Sequence, residues 1–290
     1  MFTFIIGEIG CNHKGDMDIA HEMIMVAAQF CKVDAVKFQK RTNKELLTPE
    51  EYNSPHPNSI NSYGKTYGEH RESLEFNVEQ HIQLKEWCKE WGIEYSTSVW
   101  DLTAAKEMAG LKPKMLKIPS ASNLDFNMLR WLLDNYAGEI HLSLGMTTRQ
   151  EEDRIVDLFE KYSRNKDLIL YACTSGYPVP FEDICLLEIS RLSDKFGSRV
   201  KAIGFSGHHL GIAADTAALA LGATYFERHF TLDRTWKGTD HAASLEPDGM
   251  RRLARDIRNV SKSLKYKQEE ILEIEVVQRH KLKRKISGKK

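Results

Sequence analysis

The amino-acid sequence predicts an α/β fold, namely a (β/α)8 TIM barrel, and three observations indicate it. Short runs rich in Val, Ile and Leu alternate with longer amphipathic stretches, which is the pattern of parallel strands joined by crossover helices. Eight such units can be counted along the 290 residues. Four of the apolar runs end in polar, chemistry-capable side chains, as expected where an active site gathers at the carboxyl ends of barrel strands.

The predicted elements follow one another in regular order. The strands are short and apolar, and they are predicted at residues 3–8, 35–39, 93–97, 115–118, 139–144, 168–173, 201–205 and 224–227. Helical periodicity predicts helices at residues 16–30, 78–91, 124–135, 147–162, 181–196 and 211–221. A last helix is predicted from Pro247 to about residue 262, because proline is favourable in the first helical turn. We therefore expect the barrel, as the catalytic domain, to span residues 1–265.

Two segments do not fit a bare barrel. Residues 41–76 contain several prolines and glycines among polar side chains and form a connection much longer than the usual few residues. We expect this loop insertion to be a lid or a specificity element. Residues 266–290 form a basic C-terminal tail without interleaved aromatic residues, so a solvated tail is favoured over a nucleic-acid contact. No function is assigned to the tail.

Composition excludes several classes of partner. Forty-one basic and forty-one acidic residues cancel, so no overall field attracts nucleic acid or a membrane surface, and any anion site must be local. Five widely spaced cysteines without a CxxC pair argue against a disulfide framework or a structural zinc site and favour a cytoplasmic protein. No apolar run approaches the roughly 18 residues of a membrane span. The sequence thus predicts a soluble protein with no nucleic-acid or membrane partner.

Two histidines end neighbouring strands of the predicted barrel. His208 follows the seventh strand and His229 the eighth, so two imidazoles could converge on one divalent metal ion. Glu227 adds a carboxylate on the same strand end. The alternative is that each histidine is a hydrogen-bonded core or rim residue, which is the commoner role of a single histidine. His209 and His241 are weaker candidates, for the rim or for a substrate contact.

Two lysines and several hydroxyls would face the barrel mouth. Lys37 and Lys117 lie on the second and fourth strands, where a cation can hold a phosphate or carboxylate, so an anionic substrate is expected. The alternative is that each lysine pairs with a barrel carboxylate such as Glu8. The hydroxyls that fall at predicted strand ends could complete an oxyanion-binding surface, and they belong to Thr97, Ser120, Ser143, Ser175 and Ser206.

Several motifs together carry a resemblance to a known family. They read GEIGCNHKG at 7–15, VKFQ at 36–39, KIPS at 117–120, SLGM at 143–146, CTSGYP at 173–178, GFSGH at 204–208 and ERHFT at 227–231. At these residues, from 5 to about 260, the chain resembles the N-acetylneuraminate (sialic acid) synthase family. The resemblance implies a transferase that condenses phosphoenolpyruvate with N-acetylmannosamine or a related 2-acetamido sugar. C3 of phosphoenolpyruvate would attack the sugar aldehyde, water would add at C2, and phosphate would leave by C–O cleavage.

The resemblance also implies a role for each matching residue. The set that would bind phosphoenolpyruvate is Lys37, Thr97, Lys117, Ser120, Ser143, Ser175 and Ser206. The ligands of a divalent metal ion, manganese or else magnesium or cobalt, would be His208 and His229. The contacts to the amino-sugar would be Gln39, Tyr177, Glu227 and Asp240. Glu8 would lie near the reacting centre, and the catalytic residues would be Glu8, Lys37, Lys117 and Glu227. A homodimer is implied as well.

Departures from the family pattern bear on the substrate. Many members have asparagine, aspartate and glutamate where this chain has Ser175, Gly207 and Ser122. Typical members continue into a small antifreeze-like domain that reaches the N-acetyl group across a dimer, and the 290 residues do not include it. We therefore expect residues 41–76, with Arg71, Tyr63 and Tyr67, to recognise the acyl group, or the sugar to differ from N-acetylmannosamine.

Three other functions compete with this interpretation. A lysine-dependent aldolase would use Lys37 or Lys117 to form a Schiff base in a similar barrel. A related phosphoenolpyruvate-dependent 3-deoxy-keto-sugar acid synthase would act on a sugar phosphate. A non-catalytic sugar-binding barrel is disfavoured, because simple binding would need neither the metal histidines nor both lysines.

Overall fold

Eight parallel strands close into a barrel in the computed structural model of the protein, which describes residues 2–284. The strands are β1 Phe4–Gly10, β2 Ala35–Lys40, β3 Glu94–Val99, β4 Met115–Ile118, β5 Glu139–Ser143, β6 Leu168–Cys173, β7 Ala202–Gly207 and β8 Tyr225–His229. Each strand pairs with the next, and β8 pairs with β1 to close the barrel. The predicted (β/α)8 barrel is confirmed, and each predicted strand overlaps an observed one.

Helices surround the barrel. Within residues 2–284 they are α1 Met17–Val26, α2 Asn43–Leu46, α3 Pro49–Asn53, α4 Tyr67–Glu72, α5 Val78–Glu90, α6 Leu102–Gly110, α7 Phe126–Asn135, α8 Arg149–Lys161, α9 Leu187–Phe196, α10 Ala213–Ala220, α11 Pro247–Ser263 and α12 Glu273–Leu282. The predicted start of the helix at residue 181 is wrong. Cys185 has a φ of 53°, a left-handed conformation that interrupts a helix, so a separate 3₁₀ turn precedes α9.

The hydrophobic core lies in two layers. The larger layer fills the space between the strands and the surrounding helices. In α11, for example, Met250, Leu253, Ala254 and Ile257 are buried at the i, i+3, i+4, i+7 spacing of one helix face. The smaller layer fills the barrel interior below the mouth and consists of Ile6, Ala35, Met115, Ile169, Tyr171 and Tyr225. A filled interior leaves the carboxyl ends of the strands as the place for a binding cavity.

The long connection at residues 41–76 is folded over one side of this mouth. It contains α2, α3, α4 and a 3₁₀ turn at Ser59–Asn61. The Tyr63 hydroxyl donates a hydrogen bond to the Lys237 carbonyl, and the Gly238 N–H donates to Asn61 Oδ1 at 3.4 Å. These contacts join the connection after β2 to the loop after β8. Its role as a lid or specificity element stays a prediction.

The end of the chain extends beyond the barrel. α12 exposes most of its side chains, and Lys267 pairs with Glu275 at 2.8 Å beside it. The last part of the predicted basic tail, residues 285–290, lies outside the described residues. No helix between residues 2 and 284 is sufficiently long and apolar to span a bilayer.

Candidate active site

A cavity of about 420 Å³ opens at the carboxyl ends of the barrel strands. The predicted site residues that line it are Glu8, Lys37, Gln39, Lys117, Ser120, Ser143, Ser175, Tyr177, Ser206, His208, Glu227, His229 and Asp240. They come from strands and loops all around the barrel, and the closed register of the sheet brings them together.

Thr97 is the predicted site residue that does not line the cavity. It pairs in register with Phe38, whereas Ser98 pairs with Gln39, which does line the cavity. Side chains alternate between the two faces of a strand, so Thr97 points outward to the helices and Ser98 points inward. The Thr97 hydroxyl is buried without a hydrogen-bond partner in residues 2–284. The prediction for Thr97 is therefore corrected in favour of Ser98.

Two lysine–glutamate pairs form the base of the cavity. Lys37 Nζ lies 2.5 Å from Glu8 Oε2 and donates to Ser98 Oγ at 2.7 Å. Lys117 Nζ lies 2.7 Å from Glu227 Oε2, and Lys37 Nζ is 3.8 Å from the same oxygen. All four ionisable side chains are buried. The alternative that each lysine pairs with a barrel carboxylate thus describes this structure, and the pairing leaves both ammonium groups facing the cavity.

The two carboxyl groups differ in proton affinity. Burial raises the pKa of Glu8 to about 7, and the opposing effect of Lys37 offsets it only in part. Burial would also raise the pKa of Glu227, but Lys117 and Lys37 together lower it well below its ordinary range. Glu8 can therefore exchange a proton near neutral pH while Glu227 stays ionised. This is the arrangement expected of an acid–base group beside a fixed charge.

The serine hydroxyls line another wall of the cavity. Ser120 Oγ accepts a hydrogen bond from the Gly145 N–H at 3.1 Å, and Ser206 Oγ donates to Glu227 Oε1 at 3.1 Å. A Cβ on Gly145 would lie 2.4 Å from Ser175 Oγ and 2.6 Å from Ser120 Oγ. Glycine at this position therefore lets the hydroxyls of Ser120 and Ser175 lie close to the Gly145 backbone. Such a surface suits the oxygens of a phosphate or carboxylate.

His208 and His229 lie side by side at the mouth, with ring centroids 5.5 Å apart. His208 Nδ1 donates to the Thr174 carbonyl at 2.9 Å, so its other ring nitrogen, Nε2, is the one that would bind a metal ion. His229 Nδ1 is buried without a hydrogen-bond partner in the described residues and lies 4.0 Å from Asp240 Oδ2. Two adjacent imidazoles, one of them with a buried nitrogen that has no partner in residues 2–284, fit a divalent metal ion held together with substrate or water. No three His, Cys, Asp or Glu side chains in residues 2–284 form a complete ligand set.

The amino-sugar candidates surround these groups. Gln39 Nε2 donates to Glu8 Oε1 at 3.2 Å, and the Tyr177 ring lies 4.4 Å from that of His208. Asp240 stands across from His229 on the loop after β8. Three of the candidates for sugar contacts, Gln39, Tyr177 and Asp240, therefore lie above the lysine–glutamate pairs, toward the opening. The fourth candidate, Glu227, belongs to one of those pairs at the base.

Sequence reasoning missed several residues of the cavity. Cys173 ends β6 next to His208, and although burial would raise the pKa of its thiol, His208 brings it below the ordinary value. The signal for Cys173 was its place at the end of a predicted strand. Arg41, His70 and Trp100 also line the cavity. Arg41 and Trp100 each follow directly after a strand, β2 and β3, and this position was the signal that could have identified them.

His209 does not lie at the rim as predicted. Its side chain is fully buried outside the barrel mouth, where Arg228 Nη1 lies 3.1 Å from its Nε2 and Asp215 Oδ2 lies 3.2 Å away. Successive side chains of a strand point to opposite faces, so Glu227 and His229 point into the cavity and Arg228 points away from it. His209 therefore belongs to a structural ion cluster between β8 and α10.

The closed barrel with a polar cavity at the carboxyl ends of its strands is the architecture of (β/α)8 enzymes. The NeuB family model matches residues 23–269, and the chain belongs to this family. Human N-acetylneuraminate-9-phosphate synthase is 36% identical over 286 residues, which cover 99% of this chain and 78% of that protein. N,N'-diacetyllegionaminic acid synthase of Legionella pneumophila is 34% identical over 267 residues, or 89% of this chain and 72% of that one.

A solved structure agrees with these relatives. The crystal structure of N-acetylneuraminic acid (sialic acid) synthetase from Leptospira borgpetersenii serovar Hardjo-bovis, in complex with citrate, has a TM-score of 0.81 and 28% identity. The match covers 98% of this chain and 94% of that chain. The relatives are synthases of sialic and related acids, and this protein is accordingly an enzyme of the same carbon–carbon bond-forming class, with small-molecule sugar substrates.

Proposed function

We propose that this protein condenses phosphoenolpyruvate with an open-chain 2-acetamido sugar to form a nine-carbon 2-keto acid, with release of inorganic phosphate. One observation carries the proposal. The buried ammonium groups of Lys37 and Lys117 share a single cavity with the imidazoles of His208 and His229. The same cavity thus contains cations that would bind an anionic reactant and imidazole nitrogens that would bind a metal ion.

The lysines and serines would bind phosphoenolpyruvate. Its phosphate and carboxylate carry the negative charge that ammonium groups and hydroxyls bind by charge-assisted hydrogen bonds. Lys117 Nζ also lies 4.2 Å from the centroid of the Tyr171 ring, a cation–π contact that fixes the direction of the side chain. We expect Ser120, Ser143 and Ser175 to complete the anion site.

The reaction balances with the groups at hand. The C2–C3 π electrons of phosphoenolpyruvate form the new bond to the sugar's aldehyde carbon, and the aldehyde oxygen gains a proton. Water then adds at C2 and loses a proton, and the C2–O bond to phosphate breaks to leave the keto acid. Glu8, held by Gln39 and Lys37, is our candidate for the group that exchanges a proton with the sugar oxygen.

His208 and His229 would hold a divalent metal ion, manganese or else magnesium or cobalt. When bound, such an ion supplies Lewis-acid polarisation of a carbonyl or orients water. The sugar would lie above the lysine–glutamate pairs, against Gln39, Tyr177 and Asp240. N-acetylmannosamine or a related 2-acetamido sugar fits this class, and the relatives' names include both a 9-phosphate and a diacetyl product.

Phosphate release tests the proposal. Metal-stripped protein is given phosphoenolpyruvate and a panel of 2-acetamido sugars and sugar phosphates, with and without Mn²⁺, and the keto acid is identified by mass spectrometry. We expect release that requires both a sugar and the metal. K117M should lower kcat/KM at least about 100-fold, because it removes a charged hydrogen bond and leaves buried Glu227 without its nearest partner. K89M is the matched control, since Lys89 is 81% exposed.

Two results would redirect the assignment. Irreversible labelling of Lys37 or Lys117 by pyruvate and borohydride, with activity that survives chelation, would identify a Schiff-base aldolase. Turnover of an unacetylated sugar phosphate alone would identify a related 3-deoxy-keto-sugar acid synthase. Absence of phosphate release with every sugar and metal would contradict the proposal as a whole.

A further inference from the structure

A second cavity, of about 400 Å³, lies between the segment 41–76 and helix α6. Its walls come from the end of β2, from α2, α3 and α4, and from the first turns of α6. None of the residues assigned above to the reaction lines it. Its volume falls within the range of roughly 300–1,000 Å³ that is typical of small-molecule sites. The second cavity is therefore large enough to bind a ligand of its own.

Asn43 lines this second cavity with an unsatisfied amide. The residue is 2% exposed, and its side chain forms part of the cavity wall. Neither its Nδ2 donor nor its Oδ1 acceptor has a hydrogen-bond partner in residues 2–284. Buried polar groups in folded proteins are nearly always hydrogen-bonded, and a buried group without a partner destabilises the fold. Asn43 therefore offers a ligand one donor and one acceptor on the same edge of a planar group.

The charges around the second cavity balance. Three cations and three carboxylates line it, and two of each are paired. Arg41 forms an ion pair with Glu75, and Lys40 Nζ lies 3.6 Å from Glu107 Oε2. The remaining cation and carboxylate belong to exposed residues of α2 and α4. A balanced lining gives no net attraction to phosphate or to a metal cation, so it suits an uncharged or zwitterionic molecule.

The Tyr52 ring gives the second cavity a flat surface. A Cβ on Gly68 would lie 2.4 Å from Tyr52 Cγ, so the ring packs directly against the backbone of α4. A ring held in this way can pack against a planar ligand group. The second cavity thus combines an aromatic surface with an amide edge.

Arg41 forms a wall that the second cavity shares with the candidate active site, because it lines both. Its backbone N–H donates to Glu75 Oε2 at 3.0 Å, and its Nε pairs with Glu75 Oε1. Its Nη2 lies 3.1 Å from Cys11 Sγ, and Cys11 lines the active-site cavity. A ligand that contacts Glu75 would therefore act on a side chain of the active-site wall.

We propose that the second cavity is an effector site for an uncharged or zwitterionic small molecule that presents an N–H donor beside an acceptor on one planar edge. A primary carboxamide and a nucleobase both have such an edge, and either can form two parallel hydrogen bonds with the Asn43 amide. A carboxylate offers acceptors only and leaves the Oδ1 acceptor of Asn43 unpaired. Binding would change substrate affinity through Glu75 and Arg41.

Isothermal titration calorimetry with L-glutamine and with adenosine tests the site and distinguishes the two sources of the edge. Glutamine adds opposite charges for Lys44 and Glu72, whereas adenosine is uncharged. We expect at least one of them to bind the wild type with a dissociation constant below about 1 mM. N43A should weaken that binding at least about 10-fold, because both hydrogen bonds are lost. N127A, which changes an exposed asparagine of α7, should bind as the wild type does.

Matched ligands test the donor directly. L-glutamate replaces the carboxamide of glutamine by a carboxylate, and purine riboside lacks the amino group of adenosine. Each should bind at least about 10-fold more weakly than the compound it matches. Equal affinity within both pairs, or the absence of binding by glutamine and adenosine alike, would overturn the inference.

The stability of the Asn43 variants separates a ligand role from a structural one. Removal of buried polar groups that have no partner should leave the ligand-free melting temperature unchanged or higher. N43L is a second variant, whose apolar side chain would also occupy part of the second cavity. A melting temperature that falls in both variants would show that Asn43 supports the fold, and the inference would be wrong.

The effector role is tested by calorimetric titration of phosphoenolpyruvate and of N-acetylmannosamine, with and without the bound probe. Linkage requires two coupled ligands to change each other's affinity by the same factor, and we expect at least about fivefold for one of the two substrates. Unchanged affinity for both would overturn the effector role. The binding of the probe to Asn43 does not depend on the proposed function, so the site can be confirmed or refuted even if no sugar is turned over.

Discussion

The ion cluster between β8 and α10 permits a sharp prediction about stability. Arg228 is 1% exposed, and its guanidinium contacts Asp215, the His209 carbonyl at 2.6 Å and the Gly211 carbonyl at 2.9 Å. D215N keeps the shape of the side chain but leaves Arg228 without a counter-charge. Loss of one partner from a buried ion pair costs about 3–5 kcal/mol. Because two carbonyls still accept hydrogen bonds from Arg228, we expect the lower end, about 3 kcal/mol.

Urea unfolding measures this loss. With a denaturant dependence of about 3 kcal/mol per molar urea for a protein of this size, the midpoint should fall by about 1 M. The double variant R228M/D215L removes both charges and should recover most of the loss, since apolar replacement of a buried pair is often neutral. A midpoint shift below about 0.3 M for D215N, or a double variant no more stable than D215N, would refute the reasoning.

Two further predictions concern acid stability and the anion site. Burial lowers the pKa of His81 to about 3, against about 6.5 in the unfolded chain, so protonation of the unfolded state destabilises the protein as pH falls below 6.5. Between pH 7.5 and 5.5 the wild-type free energy of unfolding should fall by about 1.4 kcal/mol through this effect. In urea titrations at the two pH values, H81Q should lose about 1.4 kcal/mol less than wild type. Equal losses would contradict the lowered pKa of His81. G145A should displace Ser120 and Ser175, whose hydroxyls lie 2.6 and 2.4 Å from the added Cβ. Because both are ends of side chains that can rotate, we expect a melting temperature within about 3 °C of wild type and a KM for phosphoenolpyruvate raised at least about tenfold; an unchanged KM would place the anion elsewhere.

The barrel could be predicted because its local patterns agree with one another. Each strand is a short apolar run, and residues such as Lys37 and Lys117 interrupt those runs at the level where a barrel opens. These lysines converge because the sheet closes into a barrel. Eight alternating strand and helix patterns in the sequence predict that closure. The pairing of Lys37 with Glu8 was also open to prediction, because β1 and β2 are neighbours.

Positions one residue apart were harder to predict. The choice between Thr97 and Ser98 depends on strand phase, and an error of one residue moves a side chain to the opposite face. Both residues carry a hydroxyl, so composition could not separate them. Cys185 similarly interrupts a helix through a left-handed backbone conformation that its residue type does not signal.

The contact between Arg71 and Trp100 could not be predicted because it depends on tertiary packing of an irregular segment. The prolines and glycines of residues 41–76 indicate a loop, and nothing in their spacing reveals that α4 packs Arg71 against Trp100, which follows β3. That Arg71 Nε has no hydrogen-bond partner in the described part of the chain is visible only when every neighbouring side chain has been placed. Unsatisfied groups of this kind are properties of the folded molecule and not of a motif.

The buried charged side chains in and around the cavity differ in how they are partnered. Deep in the barrel, Lys37 and Lys117 are paired with Glu8 and Glu227, so an incoming anion would meet ammonium groups whose charge is already partly offset. The serine hydroxyls that line the same cavity would then add to the binding of the anion. In the segment 41–76, Arg71 is buried and its Nε has no hydrogen-bond partner within residues 2–284. The charges at the base of the cavity are therefore balanced within the barrel itself, because each lysine lies beside a glutamate from a different strand.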